Sequence, residues 1–488
     1  RPVSLKAMPQ ASPGRDDLQE HFVDTDKAWA KAALRELREI AKIGLPLALS
    51  GASGTINSLL TCIMLGRLDT MALAAASVSG IWTSITDVLF FSGIGQISMF
   101  CSQAYGAGNL PLVGVWLQIY LVFVTLAGTP FMLLRLFTTP VLLSFGLHAD
   151  VARLAGVFTV WSMGGFLLDL WYMSVKEYYA AQQITLPAAV VDATFLLVNL
   201  GIGYVMIFSL GLGIIGAALA FTICKLLRTV TFVAFCWWRG YHQRTWSGWS
   251  WSEIFQASRW RKLLAMTLPA ALGGVAEELQ FQVCTLMAGE IGPTETAAFS
   301  LVMNMLIVGF LFSAAMGDAV GIRMSRRLGQ GKPRDAAFVA RLGIVVSLGG
   351  NIVVAAVVIS AMSVIVPLAS ADPEVQKQIW QLRWPGAITI ALLGVVLPVI
   401  TVLTKQGRAK IPSVILPVCC WILGFPCSYL LSRTEGLLGI CEGLMIGYAL
   451  ATICLFVFFF RSDWVQLSRD AVERAEVLED SPTNASAS

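Results

Sequence analysis

Residues 273–289, GGVAEELQFQVCTLMAG, place two carboxylates in the middle of an otherwise apolar segment. Glu277 and Glu278 stand side by side, with Gln280 and Gln282 just beyond. Carboxylates in hydrocarbon are costly and mark ion or substrate pathways far more often than packing. Adjacent side chains on a helix point about 100° apart, so one of the pair meets the helix–helix seam while the other angles towards a cleft. Two ionised carboxylates this close in low dielectric disfavour each other. At least one is therefore placed to take up and release a proton, as a coupling site in an ion-driven transporter must. The blander alternative is a carboxylate tied to an Arg from another helix. It finds few partners, because the predicted spans hold almost no Lys or Arg, and Lys225 and Arg228 sit near a span end.

Further polar side chains fall in or near apolar segments. The first half of the chain carries Asn57, Thr61, Asp87, Gln96, Asp169, Asp192 and Asn199, and the second adds Asn304, Asp318, Asn351 and Glu442. Asp192 and Asn199 are seven residues apart and so share one helix face. Asp87, Asp318 and Glu442 lie near loops or helix ends, where a structural role weighs as much as a functional one. Asn and Gln side chains also cement helices to one another. Enzyme chemistry has little to stand on. His21, His148 and His242 all lie outside the apolar segments, the Asp16–Asp17 pair is in the polar start, and no GxSxG, HExxH or phosphate loop occurs. No metal site or cofactor is expected.

The elements that hold these side chains follow from composition. Of 488 residues, 56% are hydrophobic and 13% charged, about half the charge of a typical soluble domain. Apolar runs of about 20 residues are long enough to cross a bilayer. Twelve are found, near 40–65, 74–99, 112–134, 153–173, 186–208, 212–238, 263–288, 297–321, 338–368, 384–404, 412–431 and 437–460. With both termini in the cytoplasm, 28 of the 34 Lys and Arg fall on the cytoplasmic side, the exceptions being Arg67, Arg135, Arg153, Lys377, Arg383 and Arg433. Basic loops face inward, so this orientation is the expected one, and the basic clusters are not read as a nucleic-acid surface. The ten cysteines are scattered with no CxxC, as small core hydrophobes. No signal peptide is visible in residues 1–38, the tail from about 468 reads as disordered, and the Asn484-Ala-Ser triplet is a chance match to a glycosylation site.

The chain repeats itself. Shifted by 223 residues, LPLALSG (45–51) falls on LPAALGG (268–274), Met64 and Gly66 on Met287 and Gly289, and Gly106 and Gly108 on Gly329 and Gly331. Pro187 and Tyr204 lie 225 before Pro412 and Tyr429. Six helices per half make this a parallel repeat about an axis along the membrane normal, with a cleft between the lobes. The expected organisation is a polar tail (1–38), a first lobe of spans 1–6 (39–238), a Trp-rich cytoplasmic linker (239–262), a second lobe of spans 7–12 (263–461) and a C-terminal tail (462–488). The fold class is thus an all-α integral membrane protein with twelve transmembrane helices in two parallel-repeat six-helix lobes.

Several segments, taken in order over nearly the whole chain, resemble the multidrug and toxic compound extrusion (MATE) antiporters of eukaryotic type. IMLGRLD and LAAASVSG near span 1, SQAYGAGN at 102–109, AAQQITLP at 180–187, LGIIGAALA at 212–220 and RRLGQGKPRDA at 326–336 are similar to the family's recurring motifs. Eukaryotic members carry a span-7 pattern of Glu, four residues, Glu, six residues, Gly. Counted back from Gly289, the first acid falls on Glu277 and the second on Gln282, its neutral amide. Many prokaryotic members use an Asp in span 1 and an Asn-x₃-Asp pair in span 5; those positions read Thr61, Asn199 and Gly203, so only the Asn is kept. Plant members often have an Asp in span 10, and no acid lies in 384–404.

The resemblance implies a secondary transporter that exchanges small organic cations or metabolites for protons, with sodium as the alternative ion, by alternating access of two lobes. It implies Glu277 as the coupling carboxylate. Glu278 is an extra acid one helical turn from Gln282, placed to replace the lost acid or to act on Glu277. Gln280, Gln282, Asn304, Asp192, Asn199, Thr61 and Asn57 complete the candidate coupling and substrate groups. A monomer in a plasma membrane or endomembrane is expected, the lipid bilayer being its surroundings. The rival is a flippase for a lipid or lipid-linked sugar, against which stand twelve spans and an acidic cleft.

Overall fold

The computed structural model describes residues 15–370 and 372–476, and among these the secondary structure is helical with no strand. The start of the polar N-terminal segment and the Asn484 triplet lie outside the described residues. Among the described residues ten helices are long and apolar enough to cross a bilayer: Ala30–Leu68, Thr70–Ala107, Leu110–Ser144, Leu186–Ser209, Gly213–Trp238, Pro293–Gly329, Pro333–Leu368, Arg383–Arg408, Lys410–Glu435 and Leu437–Phe460. The pair Ala149–Ser162 and Gly164–Ala181, bent by 46°, makes one more. The twelfth is Ala257–Ile291, a helix of 35 residues that fails on composition alone. Its Glu277, Glu278, Gln280 and Gln282 supply the polarity. In chain order these are spans 1 to 12.

Each predicted span falls on one of these helices to within a residue, span 4 on the bent pair, and most of the helices run further. Span 1 belongs to a single helix, Arg15–Leu68, of 54 residues, about 80 Å at 1.5 Å per residue. The C-terminal stretch departs from expectation. Residues 464–476 form a helix, Trp464–Glu476, started by Asp463, whose carboxylate accepts from the backbone N–H of Val465 and Gln466 at 3.0 Å each. Polar, charged composition predicts disorder from about 468, yet this helix continues to 476 because one face carries Leu467, Ala471 and Ala475, all buried.

The two halves pack as a symmetric pair. Span 1 lies against span 8 and span 2 against span 7, so each contact repeats in the other half. Pro46 in span 1 and Pro269 in span 7 also match (269 − 46 = 223), each removing one helical hydrogen bond at the same depth. Small residues let neighbouring spans approach: a Cβ built on Gly447 of span 12 comes within 3.1 Å of Gly424 in span 11.

Side-chain hydrogen bonds that cross between lobes concentrate on the face carrying the basic loops, called here the basic face. Arg323 of span 8 donates to Glu36 at 2.9 Å, Lys405 of span 10 to Ser98 of span 2 at 2.9 Å, and Gln103 of span 2 to the Lys405 carbonyl at 3.2 Å. The Trp464–Glu476 helix bridges the lobes there. Its Arg474 donates to Gln103 at 3.0 Å, its Ala475 carbonyl accepts from Asn109 at 2.7 Å, and its Ser468 bonds the Leu328 carbonyl at 2.9 Å.

Candidate functional site

Span 7 delivers Glu277 between two cavities. One, of about 420 Å³, lies within the second lobe and is lined by Glu277, Glu278, Gln282 and Thr285 with Phe281, Phe310 and Tyr448 among its apolar walls. The other, of about 210 Å³, lies between the lobes and joins Glu277 to Ser92 and Gln96 of span 2 and to Asp318 and Lys405. Glu277 is the carboxylate shared by both linings.

The two adjacent acids have different surroundings. The Tyr448 hydroxyl of span 12 donates to Glu277 Oε1 at 2.8 Å. Glu278 Oε1 accepts from Gln282 Nε2 at 2.9 Å, one turn along the same helix. Neither carboxylate forms an ion pair with a Lys, Arg or His among the described residues. This arrangement suits a reversible bond to a proton or to an organic cation, since no fixed cation competes for the charge.

Gln280 and Asn304 do not join this group. Gln280 is 1% exposed, and neither its amide nitrogen nor its oxygen has a hydrogen-bond partner. Asn304 is exposed and bonds back to the Ser300 carbonyl at 2.8 Å.

The first-lobe candidates gather around a small cavity of about 50 Å³ lined by Asn57, Asp192, Asn199, Lys225 and Arg228. Asn199 donates to Asn57 at 2.7 Å, and Thr61 bonds the Asn57 carbonyl at 3.0 Å. Asp192 is not a free acid. It accepts from Tyr172 at 2.6 Å and from Ser50, and it faces Arg228 at 3.5 Å and Lys176 at 3.7 Å. Asp169 is held by Lys225 at 2.6 Å and by Arg228, and Asp87 by Arg135. Lys225 and Arg228, expected near a span end, lie in the middle of the Gly213–Trp238 helix and are cationic partners to carboxylates of this lobe. Hydropathy ended span 4 near residue 173, but its helix runs on to Ala181 and carries Lys176 inward.

Sequence reasoning also missed Tyr448, Glu177 and Lys405. An isolated Tyr in a twelfth apolar segment gives no signal. Glu177 and Lys405 fall just past predicted span ends, which hydropathy places where the first charge appears.

The sequence pattern of the MatE family matches this chain twice, at residues 46–205 and 269–430, starting 223 residues apart (269 − 46), the repeat offset. Over 454 residues the chain is 28% identical to Protein DETOXIFICATION 36 of Arabidopsis thaliana, covering 92% of this chain and 90% of that protein. It is 24% identical to Multidrug and toxin extrusion protein 1 of Mus musculus, covering 91% and 78%. Its fold is similar to the crystal structure of the eukaryotic MATE transporter AtDTX14, with a TM-score of 0.84 at 21% identity over 91% of this chain and 99% of that one. Two six-helix lobes, a twice-matched sequence pattern and these relatives together establish that the chain belongs to the MatE family, as a MATE transporter of eukaryotic type.

Proposed function

We propose that the protein exchanges a small organic cation for protons, with Glu277 as the coupling carboxylate and the second-lobe cavity as the substrate site. The observation that carries this reading is the position of Glu277 on both cavities with Tyr448 as its polar partner and, among the described residues, no cation paired to it. The 420 Å³ cavity falls within the roughly 300–1,000 Å³ of small-molecule sites. Its aromatic walls suit an apolar cation, and Glu278 beside Gln282 offers a second charge to hold it.

Proton and cation compete for the same carboxylate, so each displaces the other without covalent chemistry. Basic loops mark the cytoplasmic side. The lobes meet on that basic face, which supports reading this arrangement as a state closed to the cytoplasm. Net charge movement would add about 2.3 kcal/mol per charge per 100 mV.

The test is uptake of a fluorescent organic cation into proteoliposomes under an imposed proton gradient, for wild type and Glu277→Gln. Uptake that follows the gradient and is lost in the variant supports the reading. Full gradient-driven uptake by the variant overturns the assignment of Glu277. A wild type that ignores protons and answers to sodium overturns the choice of ion.

A further inference from the structure

A second group of acids sits where the lobes close. Asp318 of span 8 forms an ion pair with Lys405 at 2.9 Å, and Lys405, 3% exposed in its side chain, also bonds Ser98 of the opposite lobe at 2.9 Å. Glu177 of span 4 is hydrogen-bonded to Ser98 and lies beside Asp318 and Lys405, yet forms no ion pair of its own among the described residues. Its Oε2 is buried with no hydrogen-bond partner. Lys176, the next residue, is turned to Ser50 and Asp192. The other titratable groups facing Glu177 are Cys101 of span 2 and Tyr120 of span 3, and neither brings positive charge. The Lys176 charge also reaches Glu177 but is already committed to Asp192, so two carboxylates, one from each lobe, are left with Lys405 as their ammonium.

A buried carboxylate oxygen without a donor is expensive unless it carries its own hydrogen. A second orphan points the same way. Gln96 is 3% exposed and lines the 210 Å³ inter-lobe cavity, and its Oε1 has no partner. At about 30 Å³ per molecule that cavity has room for several waters, and an unmet acceptor in its wall is the kind of group that holds one. The cavity's lining runs from Glu277 at one end to Asp318 and Lys405 at the other.

We propose that Glu177 and Asp318, bridged by Lys405, form a second proton-binding site that is assembled only when the lobes meet on the basic face, and that the inter-lobe cavity connects it to Glu277. One proton balances the charge of the three groups. Parting the lobes separates Glu177 from Asp318 and Lys405 and frees that proton towards the basic face. The site therefore makes closure of this face depend on proton uptake. The connection to Glu277 rests on the coupling role proposed above, but the second site does not.

The experiment records infrared difference spectra of the full chain in lipid as pH is stepped, for wild type, Glu277→Gln, Glu177→Gln and Asp318→Asn. Two titrating carboxylic-acid carbonyl bands are expected in the wild type. Glu277→Gln should remove one, and Glu177→Gln the other. Asp318→Asn relieves the same charge imbalance from the opposite lobe and should also abolish or displace the second band, so the result does not hang on one variant folding. If both substitutions leave the two bands unchanged, the second site does not exist. A band that fails to respond to Glu277→Gln counts against the coupling role of Glu277 and leaves the second site standing.

Discussion

Gly106 and Gly329 stand at equivalent places in the two lobes (329 − 106 = 223), and each leaves room for the other lobe's backbone. A Cβ on Gly106 would lie 2.2 Å from the Arg326 carbonyl oxygen, and one on Gly329 would lie 2.1 Å from that of Gln103. Those partners are repeat mates too (326 − 103 = 223), so the contact is reciprocal, as in a two-fold interface. Gly106→Ala or Gly329→Ala should wedge the basic face open, at a cost of about 1–3 kcal/mol to the closed state. A Ser98→Cys reporter beneath this contact should then react faster with a water-soluble thiol reagent than in the parent chain. Unchanged reactivity in both variants would show that this contact does not hold the face shut.

Glu278 and Gln282 offer a test of charge placement. Their 2.9 Å bond spans one helical turn, and both line the second-lobe cavity. Glu278→Gln should weaken binding of a monovalent organic cation by about tenfold, equivalent to about 1.4 kcal/mol. Adding Gln282→Glu restores a carboxylate at the neighbouring position and should recover most of the affinity. Equilibrium binding of a fluorescent cation to the detergent-solubilised protein reads both steps. Failure of the second change to rescue the first would mean that Glu278 acts through its position and not its charge.

The twelve spans and their pairing into halves were legible because hydropathy and the Pro and Gly offsets report directly on helix length and register. Glu277 stood out in the sequence as a charge in an apolar run, and the structure gives it Tyr448 as a partner and no ion pair among the described residues. What escaped the sequence were contacts made by helix ends that come together only in the fold. Lys176, Glu177 and Lys405 sit beyond the hydropathic spans and look like interface anchors. Inside the bundle Lys176 and Lys405 are buried counter-charges to Asp192 and Asp318, and Glu177 is a further acid beside Lys405. Trp464–Glu476 escaped for a related reason, since the groove that covers its apolar face is built from both lobes and leaves no trace in its own composition.

That terminal helix should act as a strap across the basic face. Arg474 and the Ala475 carbonyl hold the first lobe through Gln103 and Asn109, while Ser468 holds the second through Leu328. Each hydrogen bond contributes about 0.5–1.5 kcal/mol. Arg474→Ala with Asn109→Ala should therefore favour opening of that face by about 1–3 kcal/mol. Distances between spin labels placed on the basic-face loops of the two lobes should broaden towards longer values in the double variant. An unaltered distribution would confine the helix to a packing role within the second lobe.

Asp192 separates structure from coupling in the first lobe. Its carboxylate accepts from Tyr172 and Ser50 and faces both Arg228 and Lys176. Removing its charge leaves two buried cations with less compensation, and breaking such a buried arrangement costs about 3–5 kcal/mol. Asp192→Asn should accordingly lower the thermal unfolding temperature in detergent. The protein that does fold should keep the proton dependence of exchange, because Glu277 and its Tyr448 partner lie in the other lobe. Asn199→Ala should lower the unfolding temperature less, since its bond to Asn57 joins neutral groups. A normal melting temperature combined with lost proton dependence in Asp192→Asn would reverse the assignment and move coupling into the first lobe. Unfolding temperature and the pH profile of exchange must therefore be measured on the same preparation, since the two accounts differ only in which of them changes.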